Sequence, residues 1–262
     1  MLGTMNPIPA WLGAAVLLGS LAAQDAPVSK PDLKTRLVEL QKEQQRIVAA
    51  WRQAAVAAQK AAETAAASGT PIPAMSMEPD FGALRSTTLA AAKDYVGDEQ
   101  CSLLVFAFRT SKGEAEYGEI LDLLRQYHVK SAVLAELSPS LAYLPQLAGA
   151  RKATEFLTAL ERDAVDPGVL GWVVYAKHGP TLETADAKSP EFQSAKAALT
   201  KAAASSGDPR LQSRIQATLV EKEHFAIGVT APEIEGSDLD GVAFKLSDYR
   251  GKVVFVDFWG DW

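Results

Sequence analysis

Residues 227–262 read IGVTAPEIEGSDLDGVAFKLSDYRGKVVFVDFWGDW. Lys252-Val253-Val254-Phe255-Val256-Asp257-Phe258 is a β-branched and aromatic run. Such a run predicts a buried central strand, because both faces of that kind of strand meet apolar neighbours. Upstream, Asp238-Leu239-Asp240-Gly241 supplies a turn between two short strands, expected over Glu233–Gly236 and Val242–Leu246. Ser247 and Asp248 can then start a helical turn that ends at Gly251. The order of hairpin, turn and strand predicts the opening of an α/β domain over residues 225–262.

The spaced residues of this stretch resemble a known family. Gly228, Ala231-Pro232, Asp240-Gly241, Leu246-Ser247-Asp248-Tyr249, Gly251-Lys252 and Val256-Asp257-Phe258-Trp259 occur in the order seen in TlpA/ResA-like thioredoxin folds of the alkyl hydroperoxide reductase/thiol-specific antioxidant superfamily. In that family the strand leads into a Cys-x-x-Cys motif at a helix N-terminus. Trp262 matches the residue before the first of those cysteines. The resemblance therefore implies a thioredoxin-like fold that is truncated here just before its dithiol. It implies that Asp257 is a buried proton acceptor beneath the second cysteine, and that Trp259 and Trp262 shape the surface that meets the partner disulfide. Burial would raise the pKa of such a carboxyl and let it exchange a proton near neutral pH. Pro232 is structural in this reading.

The remaining residues predict a mainly α protein. Alanine is abundant and aromatics are 8% of the 262 residues, a balance that favours helix. Leu33, Leu37, Leu40, Gln44, Ile47, Trp51, Ala54, Ala58, Ala61 and Ala65 step by four and three, a heptad seam on one long helix. The seam serves either self-association through residues 33–65 or packing on the following domain. Ser68-Gly69-Thr70-Pro71 stops it, and a Pro-rich linker runs to Pro79.

Residues 80–224 read as short amphipathic helices, either helical-hairpin repeats or an irregular bundle. Segments Leu84–Tyr95, Gln100–Arg109 and Lys130–Leu137 are expected to be helical, the last stopped by Ser138-Pro139. Asp166-Pro167, Ser189-Pro190 and Asp208-Pro209 each place a capping side chain before a proline at the first helical position. A shift of 42 residues lays Asp166-Pro167 on Asp208-Pro209, Ala153 on Ala195, Leu157 on Leu199, Val169 on Leu211 and Val173 on Ile215. Such self-similarity points to stacked helical pairs.

Residues 1–23 carry an apolar run from Trp11 to Ala23 with small residues at its end, as in a cleaved secretory signal. An uncleaved N-terminal anchor is the alternative. Export to the periplasm or cell envelope is therefore expected. The net charge of −6 gives no basis for nucleic-acid binding.

Cys101 is the sole cysteine and lies in the apolar run Cys-Ser-Leu-Leu-Val-Phe-Ala-Phe, so a buried, inert thiol is expected. His128, His178 and His224 are expected at helix ends and share no metal-ligand spacing. No cofactor or metal is expected. The function implied is thiol–disulfide exchange with envelope protein thiols and disulfides. The alternatives are a peroxide-reducing thioredoxin fold and a non-enzymatic helical scaffold that binds another protein.

Overall fold

The computed structural model describes residues 30–71, 76–225 and 227–257. The expected signal or anchor over 1–23 lies outside the described residues, as do Phe258, Trp259 and Trp262. The described chain is mainly α, with one two-stranded sheet near its C-terminal end.

Helix α1 spans Leu33–Ser68, about 54 Å at 1.5 Å per residue. Asp32 caps its start by accepting from the Thr35 N–H, and Gly69 ends it in the left-handed region at φ 68°. The first half of the heptad seam packs on this chain's own core: Leu40 is buried, and Leu33, Leu37 and Ile47 lie against it. Burying a side chain such as Leu40 is worth roughly 1.5–3 kcal/mol. In the second half Ala54 and Ala61 are exposed, Ala58 is half-buried and only Ala65, near the helix end, is buried, because alanine offers little apolar area to hold a neighbour. Trp51 closes the packed part, its indole donating to the Ser76 carbonyl at 3.0 Å.

The next three helices are α2 (Gly82–Ala92), α3 (Gly97–Arg109) and α4 (Gly113–Tyr127). Leu103 of α3 and Ile120, Leu121 and Leu124 of α4 are fully buried in the common core. Tyr95 ties the start of α1 to this group, its hydroxyl donating to the Pro31 carbonyl at 2.6 Å.

The segment after α4 corrects one expectation. Ser138-Pro139 does not stop a helix; both lie inside a 3₁₀ stretch, Ala132–Tyr143. Its apolar side chains Leu134, Leu137 and Leu141 are buried, and that burial holds a geometry that is uncommon at such length.

Helices α5 (Leu144–Ala148), α6 (Ala150–Asp163), α7 (Pro167–Thr184), α8 (Pro190–Ser206) and α9 (Pro209–Val220) complete the helical part. The three capping predictions match the structure: Asp166 accepts from the Val169 N–H, Ser189 from Phe192 and Asp208 from Arg210. Each proline occupies the first helical turn, where its missing N–H costs nothing. The residues brought together by the 42-residue shift share their burial: Ala153 and Ala195, Leu157 and Leu199, Val169 and Leu211, Val173 and Ile215 are all core. α7 packs chiefly on α8 and on the 3₁₀ stretch. His128 caps α4 and His224 lies in the π turn Glu221–Phe225 that succeeds α9. His178, against expectation, sits inside α7, because the helix runs on through Pro180 to Thr184.

Cys101 is fully buried, as expected. Burial pushes its thiol up to about 11, opposed by the Ser131 hydroxyl and assisted by the negative charges of Asp98 and Glu136.

Candidate functional site

The stretch 227–257 builds the candidate site from local interactions. β1 (Glu235–Ser237) and β2 (Ala243–Lys245) pair antiparallel, with Glu235 opposite Lys245, Gly236 opposite Phe244 and Ser237 opposite Ala243. Gly236 lets the Phe244 ring lie close to its backbone: a Cβ there would stand 3.1 Å from the ring, which would have to give by a few tenths of an ångström. Across the pair, Lys245 Nζ meets Glu235 Oε1 at 2.6 Å on the exposed face.

The turn is organised by one carboxylate. Asp238 Oδ1 accepts the N–H groups of Asp240 at 3.0 Å and Val242 at 2.9 Å. Its carbonyl accepts from Gly241, which takes φ 79°, a conformation that disfavours side chains. The sequence places this turn correctly, and the strands are each one or two residues shorter than expected.

A 3₁₀ turn, Leu246–Tyr249, comes next. Glu233 Oε1 accepts the Ser247 N–H at 2.9 Å, and Asp248 Oδ2 accepts the Lys245 N–H at 2.9 Å. Hydrogen bonds from Ser247 hold the Glu233 carboxyl below its usual range. Leu246 N–H also donates to the Ile234 carbonyl at 2.9 Å, so the turn is bound back to the strand entering the hairpin. Gly251, at φ 81°, then redirects the chain. The role of Glu233 and the side-chain bonds by which Asp238 holds its turn went unread in the sequence. Their signal was an acidic side chain within a few residues of a turn's free N–H groups.

The run after Gly251 differs from expectation. Val253–Asp257 forms no strand and is exposed; Val253 is fully solvent-accessible and Phe255 nearly so. The physical reason is pairing: among the described residues no neighbouring strand receives its N–H and C=O groups, and an unpaired strand has no ladder to hold it. Asp257 is likewise exposed. Trp259 and Trp262, the expected companions of Asp257 in the site, lie outside the described residues.

Among the described residues, no hydrogen bond or ion pair links 227–257 to the helices, and no core residue comes from it. No group of three or more His, Cys, Asp or Glu side chains among them could hold a metal ion. No described helix is long and apolar enough to cross a membrane.

Part of this chain is similar to thiol-disulfide oxidoreductase ResA. Over 42 residues it is 55% identical to ResA of Geobacillus thermodenitrificans, covering 16% of this chain and 24% of the relative. It is equally identical, over the same length, to ResA of Geobacillus kaustophilus. Over 47 residues it is 43% identical to ResA of Bacillus anthracis, covering 18% of this chain and 27% of the relative. The chain therefore spans about a quarter of the length of the curated relatives it matches. No family model matches the chain, and no solved structure matches it. The local similarity supports a relationship to ResA-type thiol-disulfide oxidoreductases.

Proposed function

We propose that residues 225–262 are the opening segment of a thioredoxin-like domain, and that the whole protein is an exported thiol–disulfide oxidoreductase. The observation that carries this reading is the 55% identity to ResA, together with the turn-and-cap architecture built by Glu233, Asp238, Gly241 and Asp248. In this reading the exchanging dithiol belongs to sequence beyond Trp262 in the whole protein. Cys101 cannot take its place, because it is single, fully buried and held as a thiol.

The chemistry assigned is attack of a thiolate on a partner disulfide, giving a mixed disulfide that the second thiolate resolves. Each attack needs a proton removed from the incoming thiol. Asp257 is proposed as the acceptor, becoming buried once strand partners form on both sides of Val253–Phe258. Trp259 and Trp262 would border the reacting sulfurs. The partners proposed are disulfide-bearing proteins of the cell envelope, reached through export directed by residues 1–23. A peroxide-reducing role for the same fold has no observation in its favour.

Exchange of Asp257→Asn in the whole protein tests the assignment. General acid–base catalysis of this kind contributes about 10²-fold or more. The variant should therefore lose about that factor in disulfide reduction near neutral pH and lose the acidic limb of the pH–rate profile. An unchanged profile would remove Asp257 from the mechanism.

A second reading rests on the self-contained helical part: residues 30–225 form their own core and could act as a scaffold that binds another protein. The exposed second half of α1 is the surface proposed for self-association. Sedimentation of the chain with and without Ala61→Glu, at an exposed position of the seam, would detect that contact.

A further inference from the structure

We propose that the cleft between α2, α3 and α4 is a binding site for a small amphipathic anion, an apolar chain or ring that carries one carboxylate. The cleft has a volume of 460 Å³, within the range of small-ligand sites. Leu89 of α2, Leu104 of α3 and Leu123 of α4 form its apolar walls, and Tyr127 stands 61% exposed at the rim. An exposed tyrosine over leucine walls presents an apolar face with a polar edge, suited to a ligand with both characters.

The charges set the ligand's sign and orientation. Arg85 is neutralised: its guanidinium lies 3.1 Å from Glu116 Oε2 and 3.0 Å from Glu119 Oε2. Glu119 also lines the cleft, so the Arg85 end repels an anion. Lys93 lines the cleft as well and is exposed. Among the described residues no carboxylate lies within ion-pair distance of it, unlike Arg85. Gln100 does not compete as a head-group ligand: its Nε2 donates to the Ala92 carbonyl at 3.0 Å and its Oε1 meets His128 Nε2 at 3.0 Å. Lys93 is therefore the lining cation left for a carboxylate, and the ligand's apolar body points inward across Leu89 and Leu123. Helices form the walls, and no strand edge among the described residues borders the cleft to pair with an extended peptide, which favours a small ligand over a peptide.

Leucine-methyl NMR of the full chain, titrated with decanoate below its micelle concentration, tests this. Binding should shift the Leu89 and Leu123 methyls saturably. Lys93→Glu, at an exposed position, should weaken binding tenfold or more, and the neutral decanol should bind as weakly to the unaltered protein. Leu123→Trp should fill the cleft and abolish the shifts. The proposal is overturned if no saturable shift reaches Leu89 and Leu123, if shifts are confined to 227–257, or if Lys93→Glu leaves the affinity unchanged.

Discussion

The indole Nε1 of Trp172 donates to Asp208 Oδ2 at 2.9 Å, joining the middle of α7 to the cap of α9 with both residues buried. Asp208 is fully engaged: its Oδ1 accepts the Arg210 N–H at 2.9 Å, and the Arg210 guanidinium reaches both oxygens. Chiefly through Arg210, with Trp172 assisting, the carboxyl is held well below its usual range despite burial. Replacing Asp208 by Ala removes a cap and leaves a buried indole N–H unpaired. The expected loss is about 2–4 kcal/mol in urea unfolding. Since the folded pKa is depressed, the part of this contribution that comes from the ionised carboxyl is complete above the ordinary carboxylate pKa near 4 and is lost as pH falls from there through the lower folded pKa. Equal stability of Asp208→Ala and the parent at pH 7 would contradict the assignment.

His128 should make stability depend on pH in a different window. The ring is buried, and burial lowers its pKa below the usual 6.5, with Asp98 opposing. The unfolded chain then takes up the proton first as pH falls. Stability contributed by the neutral ring is complete above pH 6.5 and declines as pH drops through the folded pKa. Unfolding midpoints at pH 7.5 and 5.5 should differ more for the parent than for His128→Gln. An identical pH dependence would show that the ring is not held neutral.

The sequence announced helices best where a chemical device marks the start. Asp166-Pro167, Ser189-Pro190 and Asp208-Pro209 each named a boundary that the structure repeats, because a cap and a proline act locally. Ser138-Pro139 misled for the opposite reason: tertiary burial of Leu137 and Leu141 carries a 3₁₀ stretch past a residue that would end a solvent-exposed helix. The run Val253–Val256 reads as a strand on side-chain type alone, yet strands need partners, and partner positions are not written in the strand itself. The hairpin was legible because its determinants, Asp238 and Gly241, sit within it. The cleft at Lys93 was not, since its three walls come from separate helices.

The exposed C-terminal stretch should be separable from the helices. Val253 and Phe255 present apolar surface to solvent, and no core residue comes from 227–257. Ending the chain at Phe225 should leave the helical melting temperature within about 2 °C, since surface changes away from packed features stay within about 0.5 kcal/mol. It should also raise soluble yield, because an unpaired β-prone run associates readily. A fall of several degrees would mean that the stretch packs on the helices.

Thiol–disulfide exchange, the activity proposed for the whole protein, is measured directly by insulin reduction with dithiothreitol as electron donor. The protein extended through a complete thioredoxin-like domain should accelerate insulin precipitation, and its Cys101→Ser variant should match it. The 262-residue chain should not exceed the uncatalysed rate, since its single thiol is buried and held as a thiol up to about pH 11. Reduction by the 262-residue chain that survives Cys101→Ser, or an inactive extended protein, would rule out the proposed exchange chemistry.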